Sequence, residues 1–589
     1  MATRQAGDFE KLIEIGIALS VERNTARLME QIFLEAKKMC NADGGTLYLL
    51  HDEKTLSFEI VRTDSLDIAM GGTTGVDITF KPLQLYDPET DQPNNQNVAT
   101  HAALSGKSIN IPDAYEAKDF DFSGTKRFDA GTGYRSRSFL TVPLKNHNQE
   151  VIGIQQLLNA QDRDSGEVVA FSSEIQPLIE ALASQAAVAL DNSQLLDAQK
   201  KLLDSFIELI ASAIDAKSPY TGGHCQRVPE VTRMLAEAAC ESDAAPFADF
   251  ELDDDGWHEL RIAAWLHDCG KVTTPEYVVD KATKLETIYN RIHEVRTRFE
   301  VVKRDIEIDY LKAVLDGGDA EALAAERDAR LAQADDDFDF VAECNIGGEF
   351  MDEERMERPS RIGETTWTRT LDDRAGLSIP ELQQRQAYPP NPVPAVERLL
   401  ADKPEHVIPR ETVPVAAGDN PFGFDLDVPE NDFNLGEIYN LCIGRGTLTE
   451  EERFKINDHI VQTIVMLEQL PFPKTMSKVP EYAGGHHEKM DGTGYPRKLK
   501  AEQMSLPAKI MAVADIFEAL TAADRPYKPA KKLSDSIRIM SFMAKDAHID
   551  MDLFKLFLTS GVYRDYAETY LLPEQIDEVD IGQYVGGGD

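Results

Sequence analysis

The sequence predicts a multidomain protein in which an α+β domain is followed by a long helix and then by a mainly helical region. Apolar side chains at helical spacing over 9–40 precede two strand patterns, at 46–50 and 56–61. From 176 to 215, apolar residues recur every seven positions, which is typical of a long helix. Further on, histidines and aspartates interrupt apolar helical runs. This order predicts an N-terminal sensor domain and a C-terminal output domain.

Length, composition and charge exclude several classes of protein. At 589 residues the chain exceeds what one hydrophobic core supports. It has neither a run of about 18 apolar residues nor a signal-peptide pattern, so we expect a cytoplasmic protein that does not span a membrane. Its six cysteines are scattered, which argues against a disulfide framework and a cysteine zinc site. A net charge of -42 argues against duplex nucleic acid as a partner, because phosphate binding needs clustered Lys and Arg.

Two further phrases complete the N-terminal pattern. Residues 132–144 read Thr-Gly-Tyr-Arg-Ser-Arg-Ser-Phe-Leu-Thr-Val-Pro-Leu, and residues 151–159 form a third strand pattern. Together with the preceding helix and strands, these phrases resemble a GAF domain over residues 10–192, and most of all its cyclic-nucleotide-binding branch. The resemblance implies an α+β domain with a regulatory role, whereas the ligand is not fixed by the fold.

The signature of that GAF branch combines an Asn-Lys pair with later Phe, Asp and Glu residues. Asn159, Phe171 and Glu174 match it, whereas Ala160 stands at the lysine position and the aspartate has no clear counterpart. The resemblance therefore implies a pocket for a small regulatory ligand that includes Asn159 and Phe171. A nucleotide ligand and a purely dimerising GAF domain are the alternatives.

The seven-residue repeat predicts a parallel coiled coil, with residues 193–217 as a helical linker between sensor and output. Its members are Leu182, Ala189, Leu196, Leu203 and Ile210. Such a seam predicts a homodimer. The alternative is that the first half of the helix packs on its own domain, because Asn192 and Gln199 interrupt the neighbouring face.

Five histidines and two aspartates in the C-terminal region predict a metal site. A single histidine on an apolar helix is more often a core residue than a ligand, but a carboxylate inside an apolar stripe is costly unless it is paired or metal-bound. Imidazole and carboxylate without thiolate suit Fe, Mn, Ni or Zn, and seven ligands are too many for one ion. Two divalent ions that share one carboxylate are the simplest solution. The candidates are His224, His267, Asp268, His459, His486, His487 and Asp515.

Three motifs carry a close resemblance to the HD-GYP branch of the HD phosphohydrolases. They are His267-Asp268-x-Gly270-Lys271, His486-His487-x-x-x-Asp491-Gly492-x-Gly494-Tyr495-Pro496, and Asp515 with Arg525-Pro526-Tyr527-Lys528. The match covers about 200–287 and 436–545. Members of this family are all-α and hydrolyse cyclic dinucleotides, chiefly cyclic di-GMP, so the resemblance implies an all-α output domain with this activity.

The resemblance also divides the ligands between the two ions, for which Fe or Mn is expected and Ni or Zn is the alternative. It implies that His224, His267, Asp268 and Asp515 hold one ion. Asp268 would be the bridge to the second ion, held with His459, His486 and His487. Some members recruit a third ion with a glutamate four residues before the first histidine. That position is Tyr220 here, so we expect a binuclear site.

Further roles follow from the same motifs. Two cations beside a bridging water would lower its pKa and supply hydroxide to a phosphodiester, with Asp268 and Lys271 as catalytic residues. Lys271 would bind a nonbridging phosphate oxygen, while Arg525 and Lys528 would grip the diester backbone. Each of these three cations has the alternative of being a solvated surface charge.

The glycine loop between Asp491 and Pro496 has a separate set of expected roles. Asp491 would orient a ligand histidine or cap the turn. Gly492 and Gly494 would permit backbone angles that other residues avoid, and Tyr495 and Pro496 would fix the loop.

The predicted output domain has two parts, 218–287 and 436–560, with a tail over 561–589. Residues 288–435 separate the two parts and read as an insertion, a helical hairpin followed by an irregular, proline-containing arm. We expect this insertion to be solvated structural decoration.

These observations predict a phosphodiesterase that hydrolyses cyclic di-GMP to the linear dinucleotide pGpG, to GMP, or to both, under control of the GAF domain. One alternative is hydrolysis of 3'3'-cyclic GMP-AMP or another nucleotide phosphate, because a metal site reads the phosphate and not the base. Another is a non-catalytic receptor or scaffold whose glycine loop docks a partner such as a diguanylate cyclase.

Overall fold

The computed structural model of the protein describes residues 13–18, 22, 24–217, 223–348, 351–523 and 530–586. By its internal contacts the chain divides into two compact units, Met1–Leu203 and Asp204–Asp589. Within the described ranges, no helix combines the length and the apolar character that a membrane crossing needs.

The first unit is built on an antiparallel sheet with the order β3-β2-β1-β7-β6-β5, in which β4 pairs with β2 and β8 pairs with β7. Its strands are β1 (Ala42–His51), β2 (Thr55–Thr63), β3 (Ile68–Gly71), β4 (Leu83–Gln84), β5 (Ile109–Ile111), β6 (Phe139–Lys145), β7 (Val151–Gln161) and β8 (Val168–Val169). Its short helices are α1 (Thr25–Cys40), α2 (Val98–Ser105) and α3 (Ser123–Thr132). The α+β domain that the sequence predicts is confirmed.

The central strand β1 is buried on both faces of the sheet. Leu47 and Leu49 join the core formed with α1, while Tyr48 points to the opposite core, which includes Ala99 and Ala102 of α2. A strand in this position has no polar face, because side chains alternate between two buried layers. This explains why the sequence of β1 is apolar without interruption over Leu47–Leu50.

One long helix, α4 (Gln176–Lys217), runs from the first unit into the second. The predicted joining helix is thereby confirmed. Its first half packs on the first unit, since Leu182, Ala186 and Leu190 are fully buried in the core of that unit. The alternative of a first half that packs on its own domain is therefore the one that the structure supports.

The second unit is mainly helical, and the prediction of a helical output region is confirmed. Its helices are α5 (His224–Cys240), α6 (Asp254–Leu266), α7 (Glu276–Val279), α8 (Ile292–Leu315), α9 (Ala320–Ile346), α10 (Glu353–Gly363), α11 (Ile379–Gln384), α12 (Glu437–Leu441), α13 (Glu450–Glu468), α14 (Val479–Gly484), α15 (Leu506–Thr521), α16 (Leu533–Lys545), α17 (Met551–Thr559), α18 (Val562–Tyr570) and α19 (Gly582–Val585). A 3₁₀ turn, Cys269–Thr273, follows α6. Two small antiparallel pairs complete the unit: β9 (Thr366–Arg369) with β10 (Ala395–Arg398), and β11 (Val407–Pro409) with β12 (Asn431–Asn434).

The insertion differs from the solvated decoration that the sequence suggests. Its helical hairpin, α8 and α9, contributes to a hydrophobic core that also contains Leu285 and Leu441, residues on either side of the insertion. This core is hard to recognise in the sequence, because the apolar side chains that form it are widely spaced among charged residues on both helices. The insertion is therefore packed into the second unit.

Two ion pairs lie where the insertion meets the rest of the unit: one joins residues on either side of it, and the other joins its first helix to α12. The ammonium of Lys281 lies 2.8 Å from both carboxylate oxygens of Glu452, and the two side chains are 1% and 4% exposed. Arg298 of α8 pairs with Glu437 of α12, and its guanidinium also donates to the Leu399 carbonyl. Such pairs are costly to break because the remaining charge stays buried.

The predicted tail over 561–589 is too long. It begins with α18, in which Tyr563 and Tyr566 are buried, and the Tyr566 ring lies 5.4 Å from that of Phe517 on α15. The acidic, glycine-rich composition that indicates a tail starts only beyond this helix, so the packed domain extends at least to Tyr570.

Replacement of Lys281 by alanine should lower the free energy of unfolding of the second unit by about 3–5 kcal/mol, because Glu452 would remain buried and unpaired. All three tryptophans of the chain, at 257, 265 and 367, lie in this unit, so their fluorescence during urea denaturation reports on it alone. The control is Lys303→Ala, which removes an exposed partner of Asp335 and should cost less than about 1 kcal/mol. Equal losses for both variants would contradict the prediction.

Candidate metal centre

The structure brings the seven predicted ligands together in two groups that share Asp268. In the first group, ligand atoms of His224, His267 and Asp268 lie within 4.8 Å of one another. The carboxylate of Asp515 belongs with them, because its Oδ1 is 3.2 Å from Nε2 of His224 and 3.8 Å from Nε2 of His267. The second group has the same 4.8 Å spacing and consists of Asp268, His459, His486 and His487.

Five helices supply these side chains, mostly from their ends. His224 is the first residue of α5, and His267 directly follows α6. Asp268 precedes the 3₁₀ turn, and His486 and His487 come after α14. His459 on α13 and Asp515 on α15 lie within their helices. Helix ends suit predicted metal ligands, because the helix holds the side chain rigidly and the chain then leaves the site.

The carboxylate of Asp268 faces both groups at once. Its Oδ2 is 3.1 Å from Nε2 of His224 and 3.2 Å from Nε2 of His267, whereas its Oδ1 is 3.2 Å from Nε2 of His459. The residue is 1% exposed. Burial acts to raise its pKa, but the positive charge of Lys271 and the contacts with His267 and His224 outweigh burial and hold the pKa well below its usual range. The carboxylate therefore stays ionised inside the protein.

Backbone carbonyls fix the tautomer of three of the imidazoles. Nδ1 of His267 contacts the carbonyl of Ala264 at 2.8 Å, and Nδ1 of His486 contacts that of Ala483 at 2.7 Å. Nδ1 of His459 makes the same contact with the carbonyl of Ile456, three residues earlier. A carbonyl can only accept, so each Nδ1 carries the proton and each Nε2 presents a lone pair to the group.

Two observations test whether this donor set fits a metal ion. Among the described residues, Nε2 of His486 and Oδ1 of Asp268 have no hydrogen-bond partner although both are buried, which is costly for an unliganded polar atom. Burial, followed by the neighbouring imidazoles, lowers the pKa of His486 to about 4 and that of His487 well below its usual value. Neutral imidazoles and ionised carboxylates are the forms that bind divalent ions, so His486, His487 and Asp268 fit a metal ion.

Glu518 positions His224 and was not among the predicted residues. Its Oε2 lies within hydrogen-bonding distance of Nδ1 of His224, while its Oε1 accepts from Nε of Arg227 at 2.7 Å. The side chain is 1% exposed. The sequence could have indicated Glu518 as a residue of the site. It follows Asp515 by three residues on an apolar helix and therefore lies on the same face.

Gly270 allows α13 to approach the turn that carries Asp268. A Cβ atom at this position would lie 1.9 Å from the carbonyl oxygen of His459 and 2.5 Å from the amide nitrogen of Thr463. The Gly270 amide also donates to Oγ1 of Thr463 at 2.9 Å. The absence of a side chain at 270 thus brings His459 next to Asp268, a role that the motif alone did not reveal.

The glycine loop is closed by its own hydrogen bonds. Asp491 accepts from the amide and the hydroxyl of Thr493, each at 2.8 Å, so it caps the turn, which was one of its two predicted roles. Gly492 has a φ of 83°, and a Cβ at Gly494 would lie 2.3 Å from the amide nitrogen of Lys489. Both glycines are therefore required, one by its backbone angle and one by close approach.

Tyr495 connects this loop with the second group. Its ring stacks on that of His487 with centroids 4.8 Å apart and an angle of 20° between planes, and its amide donates to the His487 carbonyl at 3.2 Å. The buried Glu488, a second residue outside the predicted set, accepts from the amides of Arg497 at 2.7 Å and Leu499 at 2.9 Å. These contacts hold the loop against the ligand histidines.

The arm of the insertion braces the same loop. The amide of Asp425 donates to the carbonyl of the buried Pro496 at 2.7 Å, and Nε of Arg497 donates to the Phe422 carbonyl at 2.9 Å. The buried Phe424 belongs to a small core with Val461 on α13. The arm therefore links the loop to the helix that carries His459.

The predicted substrate-binding residues are only partly described. Lys271 lies at the first group, where its ammonium contacts Oδ2 of Asp268 and its side chain is 28% exposed. Arg525 and Lys528, and Tyr220 at the position of the third-ion glutamate, lie outside the described residues.

The two residues predicted for a GAF pocket have other contacts. The side-chain oxygen of Asn159 accepts from the backbone amides of Arg137 and Ser138. Its side-chain nitrogen donates to the Tyr134 hydroxyl and the Arg135 carbonyl. Phe171 belongs to the hydrophobic core beside α1 and α4. Both side chains thus have structural partners, and the described residues give neither of them a free polar atom for a ligand.

Comparison with known families assigns both units. The GAF domain family matches residues 24–190, and the HD domain family matches residues 394–553. The chain carries a GAF domain followed by an HD domain. This agrees with the resemblance drawn from the motifs.

Three known relatives align with this chain over short segments. A 3'3'-cGAMP-specific phosphodiesterase of Vibrio cholerae is 37% identical over 116 residues, which cover 20% of this chain and 26% of the relative. A second such enzyme of the same organism is 41% identical over 95 residues, covering 16% and 20%. A cyclic di-GMP phosphodiesterase of Pseudomonas aeruginosa is 36% identical over 119 residues, covering 20% and 28%. This chain therefore spans less than a third of the length of each relative.

Replacement of Gly270 by alanine should weaken metal binding by the second group. The added methyl group would displace α13 and with it His459, at a cost of about 1–3 kcal/mol in stability. Metal content per chain after dialysis, together with the melting temperature, measures both effects. The control is Gly348→Ala, where a Cβ would meet no atom within 4 Å. Wild-type metal content in G270A would show that the close approach at 270 does not position the ligands.

Proposed function

We propose that this protein is a metal-dependent phosphodiesterase that hydrolyses cyclic di-GMP under control of its GAF domain. The observation that carries the proposal is the geometry of Asp268, a buried carboxylate whose two oxygens face two separate groups of imidazoles. A shared carboxylate of this kind is what a pair of divalent ions requires. The relatives from V. cholerae and P. aeruginosa, which are named as phosphodiesterases of cyclic dinucleotides, support the same reaction.

Five imidazoles and two carboxylates would hold two divalent ions, with Fe or Mn as the expected metals and Ni or Zn as alternatives. When bound, such ions supply a hydroxide nucleophile at neutral pH and neutralise the negative charge of a phosphodiester. His224, His267 and Asp515 would hold one ion and His459, His486 and His487 the other, with Asp268 shared. Glu518 and Tyr495 would keep His224 and His487 in place.

Lys271 is the proposed contact for the substrate phosphate. Its ammonium lies beside Asp268, and the pair with that carboxylate raises its pKa even though burial alone would lower it. The side chain therefore carries a full positive charge at the edge of the first group. Arg525 and Lys528 are proposed to hold the remainder of the diester backbone, where the fork of the guanidinium suits two phosphate oxygens. Cleavage of one ester bond gives pGpG, and cleavage of both gives GMP.

A second candidate substrate is 3'3'-cyclic GMP-AMP. Two of the relatives are specific for it, and their identity to this chain is equal to or higher than that of the cyclic di-GMP enzyme. The proposed metal ions and Lys271 would bind the phosphate, which both dinucleotides present in the same way. Another nucleotide phosphate would satisfy the same groups.

A non-catalytic receptor or scaffold is the candidate from a different class. Its glycine loop would dock a partner such as a diguanylate cyclase. The retention of all seven ligands, in two groups with buried donor atoms, favours the enzyme. A protein that only docked a partner would have no need of neutral imidazoles with aligned lone pairs.

Turnover by the purified, metal-loaded protein tests the proposal. Each dinucleotide is incubated separately, and products are separated by chromatography. We expect hydrolysis of cyclic di-GMP and a loss of at least about 100-fold in Asp268→Asn, since even partners of metal ligands are worth about 10–100-fold. The control is Asp316→Asn, the same change of charge at an exposed position. Hydrolysis of 3'3'-cyclic GMP-AMP alone would select the second candidate, and binding without turnover would favour the receptor.

We also propose that α4 forms the predicted homodimer. Exposed apolar side chains follow the seven-residue spacing through its middle: Val188 is 41%, Leu195 55%, Leu202 58% and Leu209 64% exposed. A single helix with such a stripe is unfavourable in water, whereas a parallel copy would cover it.

Light scattering tests this arrangement. The wild-type mass should be twice the 65.6 kDa of one chain, and Leu202→Glu should shift the mass toward that of the monomer because a charge would enter the seam. Lys200→Glu, an exposed change two residues before Leu202 and therefore on the opposite side of the helix, serves as the control for added charge. A monomeric wild type would refute the dimer.

A further inference from the structure

Two side chains in the last turn of α4 hold the backbone on both sides of the first metal group. The carboxylate of Asp215 accepts from the amide of Gly223 at 3.1 Å through Oδ2, and from the amide of Cys225 at 3.4 Å through Oδ1. These two amides flank His224, the first residue of α5. Asp215 is 7% exposed, so its carboxylate is largely shielded from water.

The carboxylate supplies a helix cap that the sequence of α5 lacks. Gly223 stands at the N-cap and has no side chain, so the first amides of the helix have no partner within it. Asp215 takes that role from another helix, and its negative charge also suits the positive end of the α5 dipole. The start of α5, and with it His224, is thereby fixed to the end of α4.

Lys217, two residues after Asp215, holds the backbone that follows Asp268. Its ammonium donates to the carbonyls of Lys271, at 3.1 Å, and Thr274, at 2.6 Å, and also to that of Val272. These carbonyls belong to the 3₁₀ turn that begins directly after Asp268 and to the residue after it. The three donors of one ammonium thus contact three carbonyls at the end of this turn, of which that of Lys271 also accepts from the amide of Thr274.

We infer that Asp215 and Lys217 are positioning residues, through which the last turn of α4 sets the distance between His224 and the turn that carries Asp268 and Lys271. This inference rests on the proposed function, since it concerns the ligands of the same site. Neither side chain contacts a ligand atom; both act on backbone groups beside the ligands. A change at the C-terminal end of α4 therefore reaches the two sides of the first group together.

A purely structural role would have a different signature. A cap that only stabilised the fold would, when removed, lower the melting temperature of the metal-free protein and leave metal affinity unchanged. A positioning residue changes the affinity of one group for its ion beyond any change in stability. Metal affinity and metal-free stability are therefore measured on the same variants of the full chain.

The first experiment replaces Lys217. Lys217→Met keeps the length of the side chain but removes every donor, whereas Lys217→Arg keeps a positive charge with several donors. Mn²⁺ titration, followed by the electron paramagnetic resonance of the free ion, gives affinity and number of sites. We expect K217M to bind the Mn²⁺ ion of the first group about 10–100-fold less tightly, and K217R to restore most of the affinity. The control is Lys201→Met, on an exposed face of the same helix.

The second experiment replaces Asp215, in case K217M fails to fold. Asp215→Asn keeps one oxygen acceptor, whereas Asp215→Ala removes both and still favours a helix. The expected order of Mn²⁺ affinity is wild type, then D215N, then D215A. Asp197→Ala, an exposed change on α4, should match the wild type.

Turnover of the cyclic dinucleotide by each variant is then measured at saturating Mn²⁺. Wild-type affinity in both K217M and D215A, with only a lower melting temperature, would overturn the inference. A wild-type protein that binds two ions but hydrolyses no nucleotide would instead refute the proposed function, and the titrations would still decide on the positioning role. Weaker binding that arginine at 217 restores would support it.

Discussion

The arrangement of the surrounding helices depends on the buried carboxylate of Asp268. At 1% exposure it has lost its water, and a buried charge of this kind is tolerated only when it is paired or binds a metal ion. Lys271, His224 and His267 meet one of its oxygens and His459 lies near the other. To place these groups, α5 and α13 must approach the end of α6 closely, and Gly270 makes the nearest of these approaches possible.

Different neighbours hold the ligand imidazoles, and this difference decides what a sequence reveals. His267, His459 and His486 each use the carbonyl three residues earlier, an acceptor that any residue type supplies and that therefore leaves no trace in the sequence. His224 uses the carboxylate of Glu518, which lies 294 positions away. His487 uses the ring of Tyr495. Only the contacts of His224 and His487 therefore depend on the residue type of the partner.

The sequence allowed the α+β unit and the long helix to be predicted, and it singled out the seven histidines and aspartates that lie together in the structure, because periodicity and residue type are local signals. It did not reveal Glu518, Glu488, Asp215 or Lys217, whose roles arise from tertiary contacts. It also misjudged the insertion, since the charged surface of α8 and α9 conceals the core that they share with Leu285 and Leu441 and the pair of Arg298 with Glu437. Asn159 matched a ligand-binding signature, yet its side-chain amide is used by neighbouring backbone groups and by the Tyr134 hydroxyl.

The unequal distribution of carboxylates has a consequence for how the protein behaves during purification. The first group includes Asp268 and Asp515, whereas the second has only the shared carboxylate and three neutral imidazoles. Harder, oxygen-preferring cations such as Mn²⁺ therefore suit the first group better, and softer, imidazole-preferring cations such as Ni²⁺ and Zn²⁺ suit the second. A chain exposed to several metals would become a mixed-metal species. A non-integer content of any one element would then reflect chemical inequivalence between the groups, with no need for damaged protein in the sample.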